Sequence, residues 1–298
     1  MSVSHPDYNS PSDLKRFMES QGFAMQKKFG QNFLINASAR KQIIDALDVQ
    51  DGMTVWEVGP GLGAMTEEIL SRGVSLTAFE IDHGFAALLR SFFQTYAERG
   101  NFTLVEGDVL KTWNVQYRQR IENGGTAPQR FFGNLPYNIA AAIVADTIEQ
   151  SVRFDKAVFT VQKEVAQRMC AQPGGEDYSS FSVLCQWAYT VRPVMQLTGG
   201  SFWPRPSVDS SVVLFEKRQD FPRCKNPALF MKLQRALFVS RRKSVKNNLA
   251  VFCKDSAMAQ QILTAADIDP LVRAEKLSIE KLLQLSDAAD AVILSQKA

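Results

Sequence analysis

Four places in the chain hold residue types whose spacing could do chemistry. In "VGPGLG" the glycines Gly59, Gly61 and Gly63 follow an apolar run containing Glu57. Glycines there let the backbone turn tightly and approach a ligand with no Cβ in the way. The third glycine comes one residue early for the dinucleotide fingerprint, and no later glycine restores it, which favours a non-phosphate nucleoside ligand over NAD. Glu80 follows at the end of "SLTAFE", where a carboxylate can accept hydrogen bonds from both hydroxyls of a ribose. In "VEGDV" Asp108 can accept from an exocyclic adenine amine while the Val109 amide donates to a ring nitrogen. The fourth place is "FFGNLPYN", where an apolar run stops at Asn134, Leu135, Pro136 and Tyr137. Alone, each acid reads as a turn residue or helix cap, and the tetrapeptide as a loop in which Asn turns the chain, Pro stiffens it and Tyr caps the core. Their repetition in register points to a site.

Positioning these residues requires a particular framework. Short β-rich runs appear at "TVWEVG", "SLTAFEID", "FTLVEGD", "RFFGN" and "KAVFTVQ", each separated by a stretch able to form a helix. Such alternation specifies a parallel sheet with helices on both faces, and the carboxyl ends of its strands form a ligand crevice. The expected fold class is therefore α/β, with Glu80, Asp108 and the glycine turn converging. Further on, "PVMQLTG" and "SSVVLFEKR" flank the proline-rich "SFWPRPSVDS" and read as a closing antiparallel pair. Past residue 220 only helical patterning remains, with Phe230, Leu233, Leu237 and Phe238 at helical spacing. The expected division is an N-terminal appendage over 1–24, a catalytic domain over 25–219 and a small all-helical domain over 220–298. In the appendage Ser12 is expected to cap a short helix that Gly22 ends.

Composition narrows the class. The 298 residues are 45% hydrophobic and 22% charged, which is globular composition. Four cysteines and two histidines show no metal or disulfide spacing, so no metal is expected and a reducing compartment fits. The N-terminus lacks an apolar signal region and no run reaches membrane-spanning length, so no membrane partner and a cytoplasmic protein are expected, acting as a monomer. Net charge is only +3, but its distribution is uneven. No Asp or Glu occurs from Phe221 to Lys254, while Arg241, Arg242, Lys243 and Lys246 cluster within "SRRKSVKNNL". A basic surface of this kind suits a polyanion, nucleic acid foremost.

The glycine turn with Glu80 and Asp108 resembles the class I S-adenosylmethionine-dependent methyltransferases, whose Rossmann-like sheet is thereby implied. That resemblance implies Gly59 and Gly61 against the cofactor backbone, Glu80 on its ribose and Asp108 on its adenine. The fourth strand end then holds the methyl acceptor. Hydrogen bonds from an adenine N6–H to the Asn134 side-chain oxygen and the Leu135 carbonyl would favour a pyramidal nitrogen and aim its lone pair at the sulfonium methyl. Pro136 fixes the backbone, and Tyr137 would stack on a base drawn out of its own stack.

The flanking motifs are more specific. "KKFGQNFLIN", "GNLPYNI", "VQKEVAQRM", "FWPRPSVDSSVV" and "LFVSRRKSVKNNL" together resemble, in order, the KsgA-type rRNA adenine dimethyltransferases from about residue 26 to 280. The resemblance implies N6,N6-dimethylation of two adjacent adenosines in the hairpin loop near the 3′ end of small-subunit rRNA, on the immature small ribosomal subunit. It also implies cofactor contacts from Asn32 and Leu34, a second aromatic over the target base at Phe202, and phosphate contacts from the basic helical region. The alternatives are the related resistance family acting on large-subunit rRNA, and an assembly or transcription factor in which catalysis is secondary. The stretch "YSSFSV" departs from the family, where a glycine and a basic residue often follow the tyrosine.

Overall fold

The computed structural model describes residues 4–23, 32–135 and 137–295, with the side chains of Tyr137 and Asn138 outside that set. All of "QKKFGQ", Pro136 and the ring of Tyr137 therefore lie outside the described residues. The expected strands form as β2 (Thr54–Val58), β3 (Ser75–Glu80), β4 (Phe102–Glu106), β5 (Arg130–Asn134) and β6 (Lys156–Gln162). Later come β7 (Tyr189–Leu197) and β9 (Ser210–Lys217), and two-residue strands β1 (Phe33–Leu34) and β8 (Phe202–Trp203) pair with each other. The main sheet runs β4-β3-β2-β5-β6-β9-β7, with β2 to β6 parallel and β9 antiparallel to β6.

Alternate residues of these strands feed two different cores, as a sheet covered on both faces requires. Val55, Ala78, Phe132, Val158 and Leu214 join one aliphatic cluster with Ile43, Ile44 and Leu47. Their neighbours Trp56, Phe79, Phe131, Phe159 and Phe215 form an aromatic chain that also includes Phe154, with Phe131 and Phe154 centred 4.5 Å apart. A one-residue slip of any strand would exchange the two sets, so register is tightly specified.

The described chain divides into two compact units. The first takes residues up to Ile143, Phe154–Ala166 and Arg192–Glu216, and holds the sheet. The second takes Val144–Arg153, Gln167–Val191 and Lys217 onward. It includes α9 (Ser180–Ala188), α10 (Pro227–Phe238), α11 (Val245–Cys253), α12 (Ser256–Ala265) and α13 (Ile279–Ser295). Phe230, Leu233, Leu237, Leu249, Ile262, Leu282 and Leu285 are buried within it, on the helical spacing expected.

Residues 4–23 belong to the first unit and pack against its glycine turn and the helix after β3. Helix α1 (Pro11–Ser20) is capped by Ser10, whose hydroxyl accepts from the Asp13 amide, and not by Ser12. Proline suits the first helical position because its missing N–H has no helical partner there, which moves the cap back two residues. Leu14 and Met18 are buried against Leu62, Phe85 and Leu88.

Candidate functional site

Four neighbouring parallel strands, β4-β3-β2-β5, and the turns after them deliver candidate residues to one cavity of about 390 Å³. After β2 the chain turns through Gly59 and Gly61 at φ +68° and +58°, a region that L side chains rarely adopt, and enters α3 (Ala64–Leu70). A Cβ on Gly61 would lie 3.2 Å from the Phe33 ring, so a side chain there would also crowd that ring. The Glu80 carboxylate, only 5% exposed, then organises this turn: one oxygen accepts from the Gly61 amide at 3.2 Å and the other from the Asp82 amide at 2.9 Å. Burial pushes its pKa up to about 7 against the pull of those amides.

Asp108 caps α6 (Val109–Glu122), its side chain accepting from the Leu110 amide at 3.0 Å. The cap reading and the ligand reading are thus compatible, since a carboxylate has acceptor sites beyond the one a cap consumes. Asn134 closes β5, and its side-chain nitrogen donates to the Asn32 carbonyl at 2.9 Å. Beneath the glycine turn, Glu57 is fully buried and accepts from the Thr66 hydroxyl at 2.7 Å, and burial pushes its pKa up to about 8.

Asn32, Leu34, Gly59, Gly61, Glu80, Asp108 and Asn134 all line the one cavity. Leu135 is buried just past β5, its amide donating to the Thr160 carbonyl. Phe202 does not line the cavity: it is 4% exposed, opposite Leu34 in the β1–β8 pair and inside the aliphatic core. Packing alone accounts for its position. Tyr8, Leu14 and Arg40 also line the cavity, and sequence reasoning missed all of them. The tyrosine hydroxyl donates to the Leu62 carbonyl at 2.9 Å, which fastens residues 4–23 to the end of the glycine turn. The available signal was the apolar stripe of α1, which had to be buried somewhere, but no local pattern names its partner.

The donor set fits an adenosine bearing an amino-acid tail. A buried carboxylate met only by backbone amides is matched by ribose hydroxyls, a cap carboxylate by an adenine amine, and a glycine turn by close approach of a thioether or sulfonium chain. Among the described residues no group of three or more His, Cys, Asp or Glu is placed to hold a metal. No helix among them is long and apolar enough to cross a membrane.

In the second unit, α10 and α11 are joined by the turn bearing Arg241, Arg242 and Lys243. Asn248 donates to the carbonyls of Leu237 (2.8 Å) and Ser240 (3.2 Å), satisfying the open end of α10 and fixing the turn. Arg241 is engaged with Glu275 at 3.1 Å and with the Glu176 carbonyl at 2.6 Å, while Arg242 and Lys243 are exposed. Lys246 is half-buried on α11, its amide bonded to Pro270. In "YSSFSV" Ser180 donates to Gln234 at 2.6 Å and the Ser182 hydroxyl accepts from the Ser179 amide, so these serines serve internal contacts.

Comparison with known proteins adds three findings. The family model described as ribosomal RNA adenine dimethylase matches residues 22–291. A relative from Treponema denticola, named ribosomal RNA small subunit methyltransferase A, is 49% identical over 288 residues, covering 96% of each chain. Among solved structures, a dimethyladenosine transferase from Plasmodium falciparum superimposes with a TM-score of 0.69 at 23% identity, over 84% of this chain and 94% of that one. The 23S rRNA methyltransferase ErmE gives 0.63 at 22%, over 87% and 100%. At those identities the two structures speak for the fold: a class I methyltransferase sheet with added helices.

Proposed function

The chain belongs to the ribosomal RNA adenine dimethylase family, and on that premise we propose that it methylates N6 of two adjacent adenosines in the hairpin loop near the 3′ end of small-subunit rRNA. S-adenosylmethionine is the methyl donor, and its sulfonium supplies an electrophilic methyl group. The substrate is the immature small subunit, and the protein acts as a cytoplasmic monomer. Residues 25–219 carry catalysis and 220–298 carry rRNA binding.

The observation that carries this reading is the convergence of Glu80, Asp108 and Asn134 on one cavity at successive strand ends. Glu80 would hold the ribose and Asp108 the adenine of the donor, with the Val109 amide on its ring, a reading that the strand order β4-β3-β2 supports. Asn134 stands at the strand end on the other side of the glycine turn, where the acceptor base would enter. Because its nitrogen is committed to Asn32, its oxygen is the half that can accept from the N6–H of the target. Withdrawing the N6 hydrogens toward Asn134 and the Leu135 carbonyl reduces delocalisation of the lone pair into the ring. Orientation then supplies much of the rate, and the released proton passes to water. Tyr137 would stack on the extruded base. Phe202, buried in the core, would shape that wall from behind.

Arg242 and Lys243, exposed on the turn, would neutralise rRNA phosphates, with Lys246 beside them and Arg241, also exposed, tied to Glu275 and holding the turn in place. The test is methyl transfer from labelled S-adenosylmethionine to purified small subunits lacking the modification, with large subunits and naked rRNA in parallel, followed by nucleoside analysis. Dimethyladenosine confined to small subunits is the expected result. Label in large subunits would favour the resistance-family substrate, and tight particle binding without transfer would leave an assembly factor.

A further inference from the structure

Arg40 is a buried cation without an acidic partner. It lies in the first turn of α2 (Ala37–Leu47), which Asn36 caps, and is 8% exposed. Its guanidinium donates to the Leu34 carbonyl at 2.7 Å and to the Asn9 side-chain oxygen at 2.6 Å, both neutral acceptors. Among the described residues no carboxylate comes within ion-pair distance of it; Asp7 and Glu68 act only from farther away. Two physical costs coincide here. Charged side chains are rarely buried unless paired, and the first turn of a helix carries the positive end of its dipole, which disfavours a cation. Hydrogen bonds to neutral oxygens hold the group in place without cancelling its charge.

Both costs are offset by an anion in the cavity. Arg40 lines that cavity and is the single cation among its described lining residues. With Glu80 and Asp108 assigned to the nucleoside, the amino-acid tail of the cofactor falls to the glycine turn and to the wall formed by Tyr8, Asn32, Leu34 and Arg40. We propose that Arg40, held by Asn9 and the Leu34 carbonyl, is the counter-ion of the α-carboxylate of the bound S-adenosyl cofactor. The guanidinium has five N–H donors, of which the two hydrogen bonds use two, so donors remain for a carboxylate. The N-terminal segment thereby contributes to the binding site: Asn9 orients the arginine, and Tyr8, tied to Leu62, closes the wall beside it.

This inference rests on the S-adenosylmethionine reading of the cavity. It is tested by calorimetric binding of two ligands to the full chain: S-adenosylhomocysteine and its decarboxylated analogue, 5′-(3-aminopropylthio)-5′-deoxyadenosine, which differs only in lacking the carboxylate. Wild type should prefer S-adenosylhomocysteine. Arg40→Met should lower affinity for it by roughly 30-fold or more, the scale of a broken buried charge pair, and leave the analogue within about twofold. Arg40→Lys should recover part of the loss. Asn9→Ala, which keeps the charge but removes one hold, should cause a smaller loss confined to S-adenosylhomocysteine, and carries the test if Arg40→Met fails to fold. Equal losses for both ligands, or no loss for either, would overturn the assignment while the cavity reading stands. A wild-type chain that binds neither ligand would overturn the cavity reading and this inference with it.

Discussion

The side chain of Asn134 and the backbone of Asn32, 102 residues apart in sequence, meet in a hydrogen bond of 2.9 Å that engages the nitrogen of the Asn134 amide. On the proposed reading, the oxygen is then the half that accepts from the substrate. Asn134→Ala should therefore lower the single-turnover rate of methyl transfer by roughly 10²–10³-fold, the range seen on removing one positioned hydrogen-bonding group. Affinity for S-adenosylhomocysteine should fall much less. Rapid-quench transfer assays beside equilibrium binding separate the two, and a rate within a few-fold of wild type would remove Asn134 from the chemistry.

Cofactor affinity should depend on pH through Glu80. Burial places its pKa at about 7, and only the ionised form can accept from two hydroxyls in addition to the Gly61 and Asp82 amides. Binding of S-adenosylhomocysteine should weaken as pH falls below that value and should release a proton when measured there. Titrations in buffers of different ionisation enthalpy would show the release. A Glu80→Gln variant should bind weakly, with this component of the pH profile gone.

Stability should move the other way with pH because of Glu57. Its folded pKa of about 8 lies above the unfolded value of about 4.3, so between these limits the folded chain holds a proton that the unfolded chain has lost. Folding stability contributed by this group is accordingly present at low pH and declines as pH rises through that window. Glu57→Gln keeps a partner for Thr66 and cannot ionise, so its stability relative to wild type should rise from pH 5 to pH 8 by roughly 1 kcal/mol or more. Urea denaturation at the two pH values checks this, and a constant difference would contradict it.

For the basic turn, Arg242 and Lys243 are separable from Arg241. Changing the first two to Ala should weaken rRNA binding and reduce the slope of log affinity against log salt by roughly 1.4–1.8, as expected for two lost phosphate contacts. S-adenosylhomocysteine binding should be untouched. Arg241→Ala should in addition lower thermal stability, because it removes the bonds to Glu275 and the Glu176 carbonyl. A salt slope unchanged in the double variant would move the RNA surface elsewhere.

Residues 4–23 should behave as a docked element with low local stability. Leu14→Ala removes a side chain that is 1% exposed in the small cluster with Leu62 and Phe85, at a cost of about 2–4 kcal/mol. Hydrogen exchange should then accelerate in α1 while amides of β2 and β5 keep their protection. Equal acceleration throughout would mean that the segment is part of the global folding unit.

The five parallel strands were legible because each is short, β-rich and bounded by turn residues, and because Glu80 and Asp108 fall where strands end. The glycine turn was legible for a local reason too, since three closely spaced glycines have few other uses. What stayed hidden depends on distant partners. Nothing near Tyr8 announces Leu62, nothing near Arg40 shows that it would be buried without an acid, and Asn248 looks like any helix asparagine until the carbonyls of Leu237 and Ser240 are placed beside it. Phe202 carries two readings at once: the motif implies a place over the target base, and the fold buries its ring in the core beside Leu34.

The docking of residues 4–23 on Leu62, Phe85 and Leu88 also sets an order of assembly during synthesis. Helix α1 has ten residues, too few to persist alone in water, and its binding surface is made of chain that leaves the ribosome tens of residues later. Helix α1 therefore gains its partners only after residues 62–88 have been made, and the part of the cavity lined by Tyr8 and Leu14 is completed only when it docks. A ligand that touches Tyr8 or Leu14 would favour the docked arrangement by mass action, so occupancy of the cavity and docking of this segment are thermodynamically linked.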